Sequence, residues 1–194
     1  MENNKNNEEL SKLVREKYSE IAKESSGCGC GCSCGDATTY SIFSDDYTKL
    51  EGYNPDADLN LGCGIPTEFA KIREGDTVID LGSGAGNDCF VARSLVGETG
   101  MVIGIDMTPA MIEKANENVK KLGFSNVQFR LGMIEELPVT ANKADVLVSN
   151  CVLNLVPDKN RAFQEMFRVL KPGGHFSISD VVLSDSLPPA ILKA

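Results

Sequence analysis

The stretch Val78-Ile79-Asp80-Leu81-Gly82-Ser83-Gly84-Ala85-Gly86 decides the fold. Aliphatic residues run straight into alternating glycines, and a helical pattern follows from about Asn87 to Val96. A strand that meets glycines and then a helix makes a tight turn where backbone can approach a ligand closely. The dinucleotide-binding spacing G-x-G-x-x-G would need glycine at 87, where this chain has Asn87. The order here is D-x-G-x-G-x-G.

Outward from that turn, short apolar strands alternate with helices. Thr77–Leu81 reads as a first strand and Met101–Ile105 as a second, ending at Asp106. Thr108-Pro109 supplies N-cap and N1 residues for a helix to Leu122, with Gly123 as its stop. Val127–Leu131 and Ala144–Ser149 read as the next strands. Asp158 caps a helix to Leu170, and His175–Leu183 reads as a fifth strand. Such alternation predicts an α/β domain over 75–194, a parallel sheet covered by helices on both faces.

Upstream the pattern differs. Leu10, Leu13, Val14, Tyr18 and Ile21 form one apolar stripe, predicting an amphipathic helix within 1–26. Residues 27–35 read GCGCGCSCG, with Cys28, Cys30, Cys32 and Cys34 alternating mainly with glycine. No packed core can be built from that composition, so a flexible thiol-bearing loop is expected. The segment 36–74 is acidic and turn-rich, with a short helix pattern around Thr67–Ile72, and is read as a cap or substrate segment.

The chain has 194 residues, 42% hydrophobic and 24% charged, which is ordinary globular composition for one domain with appendages. Its net charge of −9 leaves no basic stripe of the kind that nucleic acid or anionic membranes require. No apolar run is long enough to span a bilayer. The polar start has no apolar h-region, so the expected address is the cytoplasm. Seven cysteines are many for such a reducing compartment, where thiols usually mean metal binding or chemistry.

The D-x-G-x-G-x-G turn resembles motif I of the class I S-adenosylmethionine (SAM) methyltransferases. Asp106 falls one βαβ step downstream, where a carboxylate either caps the next helix or accepts ribose hydroxyls, and its strand-end position favours the second. Gly132 to Pro138 (GMIEELP) and Val169 to Gly174 (VLKPGG) complete that pattern. LNLGCGIP, VIDLGSGAGNDCF, VIGIDMTPAMI, VQFRLGMIEELP, VLVSNCVLNLVPDK, FRVLKPGG and SISDVV, in that order, are similar to the arsenite SAM-dependent methyltransferases.

The resemblance implies a Rossmann-like sheet in strand order 3-2-1-4-5 and S-adenosyl-L-methionine as cofactor. It implies a pocket lined by Asp80, Gly82, Gly84, Asp106, Met107, Ile134, Glu135 and Asn150. Cys63 and Cys151 match the family's cysteines that coordinate trivalent arsenic, and one of the four cysteines in 27–35 is a further candidate. The implied substrate is trivalent arsenic, free or as a thiol conjugate, and the implied partner is a reductant thiol such as glutathione or thioredoxin. Class I methyltransferases normally add two more strands and a C-terminal region, so a truncated domain with an open fifth-strand edge is expected.

Soft trivalent arsenic prefers sulfur donors, and its lone pair needs no general base. The single histidine, His175, accordingly has no expected catalytic part. Cys89, in the first turn of a helix, reads as a small buried hydrophobe. Glycines on both sides of Cys63 read as an exposed, mobile turn. Two other functions compete: carbon methylation of a small molecule, which leaves Cys63 and Cys151 idle, and metalloid sequestration by the C-x-C run without catalysis.

Overall fold

The computed structural model describes residues 2–24 and 45–182. Five strands, β1 (Thr77–Leu81), β2 (Met101–Asp106), β3 (Val127–Leu131), β4 (Ala144–Asn150) and β5 (Leu170–Ser179), form one sheet in the order 3-2-1-4-5. Every pairing is parallel. This is the expected Rossmann-like arrangement, and it follows from central strands that are buried on both faces, their side chains alternating between two cores. Ile79, Leu81, Ile103, Ile105 and Leu147 face one side, where they pack with Ala162, Met166 and Val169 of α5 (Lys159–Val169). Val78, Val102, Val146 and Val148 face the other side, with Cys89, Phe90 and Val96 of α3 (Asn87–Val96).

The helices begin and end where their capping residues put them. Pro109 opens α4 (Pro109–Leu122), and Gly123 closes it in the left-handed conformation at φ +71°. The Asp158 side chain accepts the Arg161 N–H at the start of α5. A short α2 (Pro66–Phe69) lies against β5 and α3.

Two expectations need correction. The fifth strand begins at Leu170, directly after α5, rather than at His175. Its register jumps from Ala144↔Leu170 to Val146↔His175, so the residues between bulge out of the ladder. Pro172 has no N–H to give, and Gly173 sits at φ +84°. Thus Gly173-Gly174 lies within a bulged strand and is not a turn before it. The strand also ends at Ser179 and does not run on toward Leu183, since residues 180–182 are not extended in the sheet; Cys28, Cys30, Cys32, Cys34 and the whole 27–35 run lie outside the described residues.

The N-terminal helix α1 (Glu2–Glu24) is longer than its apolar stripe and packs against α4. Val14, Tyr18 and Ile21 are half-buried and Ala22 is buried, whereas Leu13 is 64% exposed and falls off the stripe. No helix among the described residues is long and apolar enough to cross a membrane.

Gly104 in β2 makes room for Phe129 of β3. A Cβ there would lie 2.4 Å from the Phe129 ring, which also packs edge-on to Phe90. Gly104→Ala should therefore destabilise the fold by about 1–3 kcal/mol through overpacking. Phe129→Leu added to that variant should recover part of the loss in urea unfolding.

Candidate functional site

The carboxyl ends of β1, β2 and β4 open into a broad cleft. Its floor is the glycine turn. Gly82 and Ser83 both donate to Ile105 O, at 2.8 and 3.0 Å, which bends the chain sharply over the end of β2. Gly82 has φ +75°, and a Cβ there would lie 2.4 Å from Val152. Gly84 (φ +52°) is the opposite case, because a Cβ would meet nothing within 4 Å. It leaves open backbone on the cleft wall. Buried Asn118 of α4 donates to Ala85 O at 3.2 Å and holds the turn from behind.

Asp106 lies at the cleft wall, where it ties the glycine turn to the start of α4. One carboxylate oxygen accepts Gly84 N–H at 3.0 Å, and the other accepts Thr108 N–H at 2.8 Å. Each oxygen keeps a lone pair for a further donor. Burial pushes its pKa up, opposed by those two N–H bonds. Met107 also lines the cleft, with Ile134 and Glu135 on the loop after β3. That loop is clamped from α5: Arg161 Nε donates to Glu135 O, and Leu137 N donates to the buried Glu165 carboxylate. Ile134 is at once cleft wall and core.

Asp80 lines the base of the cleft and is 2% exposed. Burial first, then the Asp88 charge, holds its carboxyl well above the usual range. Cys89, fully buried as expected, donates Sγ–H to Asp80 Oδ2 at 3.2 Å. Ser83 and Asn87 also line this cleft, and their buried Oγ and Oδ1 atoms have no protein partner. Buried polar groups are seldom left unpaired, so these two atoms and the open Gly84 backbone fit a polar ligand. From above, Ser11, Val14 and Tyr18 of α1 close over the cleft.

The thiols stand beside this cleft. Cys63 and Cys151 are 88 residues apart in sequence, yet their Cα atoms lie 5.8 Å apart and the two are joined as a disulfide. Cys151 lines the cleft, while Cys63 follows Gly62, which does so. The expected exposed, mobile glycine turn is half-buried and pinned instead. Cys63 N–H donates to Asn150 Oδ1 at 3.0 Å, and Asn150 Nδ2 donates to Gly64 O at 2.8 Å. A Cβ at Gly62 would lie 2.7 Å from Asn150 Nδ2, and one at Gly64 would lie 2.6 Å from Ser179 Oγ. These glycines therefore serve close approach rather than mobility.

Two members of this site escaped the sequence reading. Tyr47 is buried, with Oη 2.8 Å from both Gly64 O and Asp88 Oδ1, and it accepts from Asn150 Nδ2 at 2.9 Å. Asp88 Oδ2 lies 3.0 Å from Asn150 Nδ2. The tyrosyl proton can serve only one of its two acceptors, so a proton on Asp88 would complete the network. Burial raises the Asp88 pKa to about 6, against the lowering effect of the Asn150 and Tyr47 hydrogen bonds. His175, by contrast, contacts Ala70 O at 2.6 Å, and it does not line the cleft.

The family described as a methyltransferase domain matches residues 72–194. An arsenite methyltransferase of Halobacterium salinarum is 46% identical over 193 residues, covering 93% of this chain and 49% of the relative. The arsenite methyltransferase of Homo sapiens is 47% identical over 139 residues, covering 67% of this chain and 36% of that protein. The chain thus spans about half, or less, of the length of these curated relatives. An arsenic(III) S-adenosylmethionine methyltransferase from Chlamydomonas reinhardtii, solved by X-ray crystallography, superposes with a TM-score of 0.61 at 44% identity. That match covers 68% of this chain and 46% of the algal one.

The Asp88 network generates a pH prediction. The unfolded carboxyl titrates near 3.8, and the folded one near 6. Between those values the folded state keeps a proton that the unfolded state has released, so stability falls as pH rises through that window. Asp88→Asn should flatten this part of the profile by about 2 kcal/mol in chemical unfolding between pH 4 and pH 6.5. An unchanged slope would show that Asp88 does not hold that proton.

Proposed function

Since the chain belongs to the methyltransferase-domain family, we propose that it moves the methyl group of S-adenosylmethionine onto trivalent arsenic bound by Cys63 and Cys151. The observation that carries this reading is the meeting of those two cysteines at the cleft. A carbon methyltransferase would have no use for the pair.

The cofactor's binding groups are those of the cleft. Asp106 would accept from ribose hydroxyls, the Gly82–Gly84 backbone would lie against the amino-acid part, and Ile134 and Glu135 would flank the base. Asp80 and Asn150 would lie toward the reacting end, with Met107 beside the sugar. When bound, S-adenosylmethionine supplies an electrophilic methyl group on a sulfonium. The chain's own work is positional, because holding two reacting centres in line removes much of the entropic barrier.

Arsenic enters only after the disulfide is opened. Two electrons and two protons from a reductant thiol of the glutathione or thioredoxin class would give two thiols, a state that the cytoplasm would maintain. Each thiol then displaces one hydroxide of arsenous acid as water. The arsenic lone pair is the nucleophile, so no side chain need act as a base. His175, bound to the Ala70 carbonyl, is consistent with this.

Arsenite-dependent conversion of S-adenosylmethionine to S-adenosylhomocysteine, followed in single turnover with reductant present, tests the reading. Cys63→Ser and Cys151→Ser should each reduce it to background, because a hydroxyl is a harder and less acidic donor than a thiol. Cys89→Ser should retain arsenite binding and lose stability. Arsenite binding without any methyl transfer would favour sequestration over catalysis.

The cofactor assignment has its own measurement. Asp106→Ala should weaken S-adenosylhomocysteine binding in calorimetry by about 1.5–3 kcal/mol, the usual loss for a hydrogen bond to a charged group. Equal affinities would remove Asp106 from the ribose site.

A further inference from the structure

Asp180 is the third group at the thiol pair. One of its carboxylate oxygens and the sulfurs of Cys63 and Cys151 all lie within 4.8 Å of one another, and all three residues are half-buried. Each member is held through the backbone around it. Asp180 Oδ2 accepts Asn154 N–H at 3.0 Å, and Oδ1 accepts Val181 N–H at 2.9 Å. Cys63 N–H donates to Asn150 Oδ1, and Cys151 N–H donates to Ser179 O. Each carboxylate oxygen keeps a lone pair for a further partner. Among the described residues, no salt bridge joins Asp180 to a lysine or arginine.

Two sulfurs and one carboxylate oxygen are not the donor set that soft arsenic prefers. Once the disulfide is opened, they can place three negative charges around one point. A borderline divalent ion such as zinc accepts thiolate and carboxylate together, at about 2.3 and 2.0–2.2 Å in a tetrahedron. Donors at those lengths stand about 3.5–3.8 Å apart, inside the 4.8 Å span seen here. Magnesium and calcium, which favour oxygen donors throughout, suit the sulfurs poorly. The fourth position of the tetrahedron falls to water or to another thiol of the chain.

We propose that Cys63, Cys151 and Asp180 of the reduced protein form a binding site for a thiophilic divalent cation of the zinc class. Binding forms two metal–sulfur bonds and one metal–oxygen bond, and two thiol protons leave to solvent. Nothing is oxidised or reduced in that step, since only the earlier opening of the disulfide consumes the reductant thiol. Resting on the thiol–arsenic reading above, the site makes zinc a competitor of arsenite for the same two sulfurs. Asp180 tells the two apart, because its oxygen ligates zinc and is a poor donor to a soft centre.

The test reads each cysteine separately. The protein, with all its cysteines present, is reduced with a phosphine and titrated with chelator-buffered zinc or with sodium arsenite. Alkylation by iodoacetamide is then followed residue by residue in mass spectrometry. Zinc should protect Cys63 and Cys151 together. Asp180→Ala should raise the zinc concentration for half-protection of that pair at least tenfold. Losing a direct ligand costs no less than losing an outer-shell partner, for which about 10–100-fold is usual. Protection by arsenite should stay within about twofold of the parent. Asp180→Asn, which keeps an acceptor for the Asn154 N–H but loses the charge, should behave likewise. In single turnover, zinc should inhibit arsenite-dependent methyl transfer, and Asp180→Ala should relieve that inhibition.

Zinc that leaves Cys63 and Cys151 unprotected would overturn the proposal. So would protection by zinc that is the same in Asp180→Ala. Equal weakening toward zinc and arsenite would also overturn it and make Asp180 a structural support of the Cys151 loop. Asp180-dependent protection by zinc with none by arsenite would uphold the metal site and refute the thiol–arsenic reading instead.

Discussion

Asn150 is the tie on which the site depends. It closes β4, and its amide bridges the Cys63–Gly64 turn, Tyr47 and Asp88, which belong to three separate parts of the chain. The next residue is Cys151. A single side chain therefore fixes the distance between the two cysteines by holding the partner's backbone rather than either sulfur. A side-chain amide suits this duty because it accepts and donates at once. An aspartate would repel Asp88, and a shorter serine would not span the gap.

The same corner carries an electrostatic cost. Asp80, Asp88 and Asp106 are all pushed upward, each mainly by burial, and Asp80 also feels the charges of the other two. Carboxylates crowded at the end of one sheet resist ionising together. Their protein partners compensate in part: Cys89 for Asp80, Tyr47 and Asn150 for Asp88, and two backbone N–H groups for Asp106. A cationic ligand would offset more of that cost than a neutral one. A sulfonium ligand therefore gains from this corner, and its demethylated product, which has lost that charge, gains less.

What could be read from the sequence follows from the range of the forces involved. Strand positions and the glycine turn are local, set by burial period and by backbone freedom, and β1, α3, α4 and β3 begin and end where the pattern puts them. Asp106, Gly82, Gly84 and Cys151 could be placed because strand ends in a parallel sheet converge on one cleft. The bulge in β5 could not, since Pro172-Gly173-Gly174 reads equally well as a turn. Tyr47 and Asp88 were hidden for another reason. Tyr47 meets Asp88 and Asn150 across 41 and 103 residues, and Asp88 meets Asn150 across 62, and nothing in an acidic loop or a helix's first turn marks a residue as one end of a buried network. Glycine at 62 and 64 misled because mobility and close approach leave the same letter in the sequence.

The register of the last two strands explains why the thiol and the carboxylate meet. Asn150 pairs with Ser179 at the end of the β4–β5 ladder, so the residues that follow, Cys151 and Asp180, leave the sheet side by side. Cys151 then turns at φ +55°, a left-handed conformation uncommon for a residue with a Cβ, and its N–H is held by Ser179 O at 2.8 Å. A chain left in extended conformation would send the next side chain to the opposite face of the sheet. The turn, anchored on the neighbouring strand, presents the sulfur at the cleft instead. Because Asp180 is clamped by Asn154 N–H from the loop beyond that turn, the two strand ends fasten each other. A one-residue slip of β5 would part Cys151 from both its backbone partner and the carboxylate, so the bulge that sets this register is part of the site although it lies at the far end of the strand.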